Sequence, residues 1–359
     1  MSEILLAYLS VLVGTALLCA GFTSTATRLA GISRTPFLED KRNALTPYLG
    51  SSIIFTFAIA VPATSMLRPL AGGRENLLPI LVVITVLYFV ELFGNSSGML
   101  SSWCLGAEIA AAVTIWSTGL GIALVNSETV NLALNILWFV AIANAFKLIN
   151  QQVGLAIGVT TITSLTLFAL ASTNGQILVA TLSIGLAGSA AGFLTNSNSN
   201  SNSNSNSKLL PGESSARIIG FLIAFLSVQV DGPVGQTEGL ANALTPVLVC
   251  SFVLFYLSLT TVSWLWPRRI QPEVGLDGIN HLLLSIGLPS SAIRNWSIII
   301  AILVGVLSFL IYKINPTIGL PLTGLVGLAY VVGGALLIRA FRHAVDQETN
   351  LSFPHSNQQ

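Results

Sequence analysis

The chain has 359 residues, of which 53% are hydrophobic and only 8% charged, with a formal net charge of +1. Soluble domains carry about 25% charged residues, so an ordinary soluble fold is excluded, and a balance this close to neutral argues against electrostatic capture of nucleic acid. A mean hydropathy of +0.80 and apolar runs of about 20 residues, the length that crosses a bilayer core, predict an all-α, polytopic integral membrane protein.

In chain order the runs predict eleven spans, at 3–22, 47–67, 77–94, 100–120, 130–149, 154–172, 175–194, 215–230, 243–266, 296–313 and 319–340. The first carries Glu3 where a signal peptide has basic residues, and Leu18 precedes Cys19, so a membrane helix is expected rather than a cleaved leader. Cys19, Cys104 and Cys250 lie in or beside apolar runs with no CxxC pair, which predicts neither a disulfide framework nor a zinc site. Pro62, Pro246 and Pro321 fall inside spans, where membrane helices tolerate them.

Orientation follows from the basic residues. With the N-terminus outside, twelve of the 15 Lys and Arg fall on the cytoplasmic side, and only Arg68, Arg74 and Lys313 fall outside. Such an asymmetry is the positive-inside pattern. The same threading sends the polar loops 23–46, 91–99, 147–153, 195–214 and 267–295, and the tail 341–359, to the cytoplasmic face, which is where function is expected. Within one of these loops, 196–207 is six tandem Asn-Ser pairs. Such a run cannot bury a core, and 195–207 is expected to be a linker.

The stretch from Trp138 to Gly158 stands out because an apolar run acquires Asn144, Lys147, Asn150, Gln151 and Gln152 before turning apolar again. Asn144, Lys147 and Asn150 share one broad helix face. Polar groups at the end of a membrane helix are costly unless they meet protein, water or ligand, so this face is a candidate site. Glu108 lies inside a span, where pairing with a neighbouring helix is expected.

Five stretches, in order and on one expected face, resemble the polyprenyl-phosphate N-acetylhexosamine-1-phosphate transferases (glycosyltransferase family 4). These include the phospho-MurNAc-pentapeptide translocase and the UDP-GlcNAc:undecaprenyl-phosphate transferases. PFLEDKRNALTPYLG (36–50) resembles an early loop D-x-P, R-K-x-H, P-R-x-G-G at Pro36, Pro47, Leu49 and Gly50, with Arg34, Arg42, Tyr48 and Ser51 as departures. LYFVELF (87–93) resembles the Asp-Asp segment, with Val90 and Glu91 at the two acid positions. The stretch from Asn144 resembles N-A-F-N-L-x-D-G-x-D-G-L-A, with Lys147 at the second Asn and Asn150 and Val153 at the two Asp. Residues 192–216 resemble G-F-L, Asn, then K-x-x-M-G-D-x-G-S at Gly192, Phe193, Leu194, Asn196, Lys208, Gly212 and Ser214, with Glu213 at the metal-binding Asp. GINHLLLSIGL (278–288) resembles H-x-H-H-R-L-x-x-x-G-L at His281, Leu283, Gly287 and Leu288.

The resemblance implies transfer of a phospho-sugar from a UDP-N-acetylhexosamine to a polyprenyl phosphate, with Mg²⁺, at the inner face of the cell membrane, for cell-envelope synthesis. It implies Glu91 and Asn150 at catalytic positions, Asn144, Lys147, Lys208 and His281 at substrate positions, and Glu213 and Glu91 at metal positions. Each acid lost removes a negative charge where a divalent cation would sit, and Lys147 adds a positive one that can pair with Glu91 or Glu213. Three readings stay open. The first is a degenerate member with little or no transferase activity, binding lipid phosphate or nucleotide sugar or assembling with itself or an active homologue. The second is an active divergent transferase on a thinner ligand set. The third is a lipid or polyisoprenoid transporter, which midplane ionisable residues and internal repeats would favour. Plainer roles also stand: snorkelling for Lys147, an end charge for Glu91, helix capping for Glu213, an interhelical hydrogen bond for Asn144 and a surface position for His281.

Overall fold

The computed structural model describes residues 2–29, 50–67, 74–96, 101–152, 154–199, 211–230, 240–265, 289–314, 321–336 and 339. The described residues form helices α1 (Ser2–Leu29), α2 (Ser51–Leu67), α3 (Arg74–Ser96), α4 (Ser101–Ser117), α5 (Glu128–Ile149) and α6 (Leu155–Thr173). They continue through α7 (Ile177–Ser199), α8 (Glu213–Gln229), α9 (Leu240–Val249), α10 (Ser251–Leu265) and α11 (Ser290–Lys313), and then α12 (Pro321–Leu336). Every expected span coincides with a helix, except that 243–266 is divided at Cys250 into α9 and α10. Pro246 lies just before the division and supplies no N–H to the preceding turn. Helix α7 runs through Ser199, so the Asn-Ser run begins as the last turn of a helix and not as a linker from its first residue.

Among the described residues, five helices are long and apolar enough to cross a membrane: Ile4–Ala26, Glu128–Ile149, Leu155–Thr173, Ile177–Thr195 and Ser291–Lys313. Shorter apolar helices are Ile80–Gly94, Ser251–Val262 and Pro321–Leu336. The chain is a multi-pass membrane protein.

Helix α8 is the hub. Every residue from Ser214 to Ser227 is buried, and α8 packs against α2, α3, α5, α6, α7 and α9. A helix apolar on all sides belongs inside a bundle. The α5–α8 seam is the closest part of that packing. Phe139 and Phe221 meet with ring centroids 4.7 Å apart, and Trp138 Nε1 donates to Ser227 Oγ at 3.2 Å. A Cβ on Gly220 would lie 2.8 Å from Ala143 Cα and from Ile142 O, so a side chain there would push the helices apart. Close crossings through small residues are the usual means of helix association in lipid. Gly188 and Gly192 do the same for α7 against Leu12, Thr15 and Ala16 of α1.

Many hydroxyls within the spans donate to carbonyls of their own helices, although Ser164 Oγ and Ser183 Oγ are buried without a partner among the described residues. Thr15 Oγ1 donates to Val11 O at 2.8 Å, Thr160 Oγ1 to Ala156 O at 2.7 Å and Ser189 Oγ to Gly185 O at 3.0 Å, as hydrocarbon surroundings demand. At one end of the bundle amides stitch the turns. Gln229 Nε2 donates to Leu120 O at 2.6 Å and Gln176 Nε2 to Gln229 O at 2.9 Å. Asn131 Oδ1 accepts from Leu124 N at 3.1 Å and Val125 N at 3.0 Å. At the opposite end the C-termini of α3 and α5 meet the N-termini of α2, α4 and α8.

Candidate functional site

That second end holds the candidate site. Helix α8 begins at Glu213, with Gly212 as its N-cap residue. Its first turns place Glu213 outward, Ser214 against α3 and Arg217 inward. The Arg217 guanidinium is only 7% exposed. Its Nη1 lies 3.3 Å from Glu91 Oε1 of α3 and 3.4 Å from Glu108 Oε1 of α4. The two carboxylates are 2% and 1% exposed. Asn144 Nδ2, from α5, donates to Glu108 Oε2 at 2.8 Å and to Val140 O at 2.9 Å. Ser214 Oγ donates to the Glu91 backbone carbonyl at 3.0 Å. Four helices thus contribute to one buried, hydrogen-bonded charge cluster. Buried carboxylates and guanidinium groups are costly unless each has such a partner.

A second ion pair lies toward the rim. Lys147 Nζ of α5 is 3.4 Å from Glu213 Oε2, with the two side chains 27% and 53% exposed. Glu213 also sits where the amide dipoles of the first turn of α8 favour a negative charge. Below the pair, Asn150 caps α5, and its Nδ2 donates to Pro211 O at 2.6 Å. Asn150 Oδ1 and Ser215 Oγ are buried and meet no hydrogen-bond partner among the described residues. Gly154 follows at φ 79°, a left-handed conformation that favours glycine, and it turns the chain from α5 into α6. Gly50 is pressed onto the same end: a Cβ there would lie 2.6 Å from Ser215 Cβ and 2.9 Å from Pro211 Cα.

Of the residues singled out in the sequence, Glu91, Asn144, Lys147, Asn150 and Glu213 are brought to this one end. Lys208 and His281 lie outside the described residues, as does Val153. Glu108 pairs with neighbouring helices, and Asn144 makes an interhelical hydrogen bond. The residue that sequence reasoning missed is Arg217. Charge counting assigns it to the cytoplasmic side at the start of the 215–230 span, and the structure buries it in the bundle. The signal is there in the sequence: an Arg four positions behind Glu213, at the start of an apolar run, needs a carboxylate within the bundle.

The donor set does not fit a divalent cation. Hard cations such as Mg²⁺ take oxygen ligands, among them one or two carboxylates. Among the described residues no three His, Cys, Asp or Glu side chains group into a metal site. Glu91 is closed off by Arg217, and Glu213 faces Lys147.

The geometry defines a polytopic helical membrane protein with a charged, interhelical site at one end of its bundle. Residues 77–231 match the model of glycosyl transferase family 4, a stretch that contains all five charged residues of the two ion-pair groups. The chain is similar to the decaprenyl-phosphate N-acetylglucosaminephosphotransferase of Mycobacterium leprae (strain TN), 25% identical over 316 residues, covering 79% of this chain and 77% of that one. The protein of the same description from Mycobacterium tuberculosis (strain ATCC 25618 / H37Rv) is 26% identical over 316 residues, covering 79% and 76%. A probable undecaprenyl-phosphate N-acetylglucosaminyl 1-phosphate transferase of Bacillus subtilis (strain 168) is 24% identical over 172 residues, which are 48% of this chain and 44% of that protein. The match therefore spans less than half the length of the Bacillus relative. The likeness to the glycosyl transferase family 4 model is confined to residues 77–231, and at 24–26% identity the chain is a distant relative of these polyprenyl-phosphate N-acetylglucosamine-phosphate transferases.

Proposed function

We propose that this protein binds polyprenyl phosphate and a UDP-N-acetylhexosamine at the α3–α5–α8 end of its bundle, on the cytoplasmic side of the cell membrane. We further propose that its Mg²⁺-dependent sugar-phosphate transfer is weak or lost. One observation carries this reading: both carboxylates at the motif positions are held by side-chain cations, Glu213 by Lys147 and Glu91 by Arg217. Phosphoryl transfer depends on neutralising and positioning phosphate charge. In this chain the acids that would anchor a cation for that purpose are taken up by Lys and Arg. Lys147, 27% exposed, beside the N-terminus of α8 remains suited to a phosphate group. Asn144 is committed to Glu108 and acts in positioning the cluster rather than in contacting substrate.

The test is an exchange assay on purified protein in lipid nanodiscs, following UMP release from UDP-GlcNAc and from UDP-MurNAc-pentapeptide with undecaprenyl phosphate and Mg²⁺. No release above the protein-free background is expected. Turnover that Glu213→Ala abolishes would overturn the reading. It would support the active divergent alternative, which has its own observation: Glu213 is 53% exposed, and an ion pair so open is worth at most about 1 kcal/mol and opens readily.

A further inference from the structure

The acids lost from the motif account for a weakened metal site, but they do not account for Arg217 or Glu108. Glu108 stands at no motif position, is 1% exposed, and is one of two carboxylates that share a single guanidinium nitrogen. Glu91 and Glu108 come from different helices. They converge on one guanidinium nitrogen, and without Arg217 they would leave two buried carboxylates around one point, part of the oxygen set that a hard cation takes. The positive charge at that point is supplied by α8 itself. Three further features make it a built arrangement. Asn144 turns its amide N–H₂ toward Glu108 at 2.8 Å, which fixes the carboxylate edge that faces Arg217. Ser214, three residues before Arg217, ties the α3 backbone at Glu91. Gly220, three residues after it, lets α8 approach α5 closely enough for Asn144 to reach across.

We propose that Arg217 is a resident cation: it neutralises the Glu91–Glu108 pair from within the chain, assembles the α3–α4–α5–α8 end without metal, and keeps divalent cations out of it. Arg217 is a positioning residue here. It fixes Glu91 and, through Glu108, Asn144. The inference rests on the reading of this end as the functional site. It does not require that the site retain or lack transfer activity.

The experiment is Mn²⁺ binding, followed by electron paramagnetic resonance and by the thermal unfolding midpoint, on full-length protein in nanodiscs. The wild type is expected to show no stoichiometric Mn²⁺ signal and no shift of its midpoint with millimolar Mg²⁺ or with EDTA. Arg217→Ala vacates the guanidinium position and is expected to bind Mn²⁺ at least tenfold more tightly than the wild type, and to be stabilised by it. Arg217→Lys restores a fixed charge and is expected to lose that gain. Arg217→Ala with Glu108→Gln is expected to lose it as well. Stoichiometric Mn²⁺ on the wild type, removed by Glu91→Gln, would overturn the proposal, and that arm needs no variant at Arg217 to fold. A folded Arg217→Ala that binds no more Mn²⁺ than the wild type would also overturn it. The UMP-release assay reports separately on the functional reading, because Mn²⁺ uptake needs neither nucleotide nor lipid.

Discussion

Arg217 and Lys147 are both paired with glutamates, and their surroundings set very different values on the two pairs. Lys147 and Glu213 are 27% and 53% exposed, so solvent screens them, and such pairs contribute about 0–1 kcal/mol. Arg217, Glu91 and Glu108 are 7%, 2% and 1% exposed. Removing one member of a buried group strands the others, at about 3–5 kcal/mol. Glu108→Ala should therefore lower stability by about that amount, whereas Lys147→Ala should change it by less than about 1 kcal/mol. Reversible unfolding in mixed micelles measures both. Equal losses from the two substitutions would contradict the burial argument. Glu108 is legible in the sequence as a charge that needs a helical partner. Its partner is not, because Arg217 lies more than a hundred positions along the chain and nothing local joins α4 to α8. Arg217 itself sits at the start of an expected span, and charge counting treats such a residue as one more basic group at the cytoplasmic surface.

The helices are largely legible because each apolar run is long and contains few charges, and hydrocarbon leaves helix as the available structure for it. Contacts between helices are less so. Spacing shows which residues of α5 share a face, yet only packing shows that this face meets α8. Two details also differ from the runs alone. Pro246 stands at a division of one span into α9 and α10, and α7 draws the first Asn-Ser pairs into its last turn. The close approach of α5 and α8 makes a sharp prediction. Gly220→Val sets two further methyl groups beyond a Cβ that already lies 2.8 Å from the α5 backbone. Overpacking of this kind costs about 1–3 kcal/mol. It should appear as a lower unfolding midpoint and, because α5 carries Lys147 and Asn144, as a longer distance between spin labels on α5 and α8. An unchanged midpoint and distance would show that the seam is looser than described.

The whole molecule brings the C-termini of α3 and α5 to the N-termini of α2, α4 and α8, as an alternating membrane threading requires. In the proposed orientation that end faces the cytoplasm, and the asymmetry of basic residues supports this even with Arg217 withdrawn into the bundle. The three cysteines are free and buried, so the chain is suited to labelling at introduced ones. Asn126→Cys, at an exposed position in the α4–α5 turn, should react with a membrane-impermeant maleimide on intact cells. Gln151→Cys, exposed beside the candidate site, should react only after permeabilisation. The reverse pattern would invert the topology and remove the site from the cytoplasm.

Lys147 and Arg217 pair with the glutamates at this end of the bundle, and in our proposal they stand in for a divalent ion. The affinity of the purified protein in nanodiscs for UDP-GlcNAc, titrated in EDTA and again in millimolar Mg²⁺, tests that replacement without recourse to any variant. Binding in EDTA that Mg²⁺ changes by less than twofold is the expected result. Binding that appears only with Mg²⁺, or tightens tenfold or more, would contradict it.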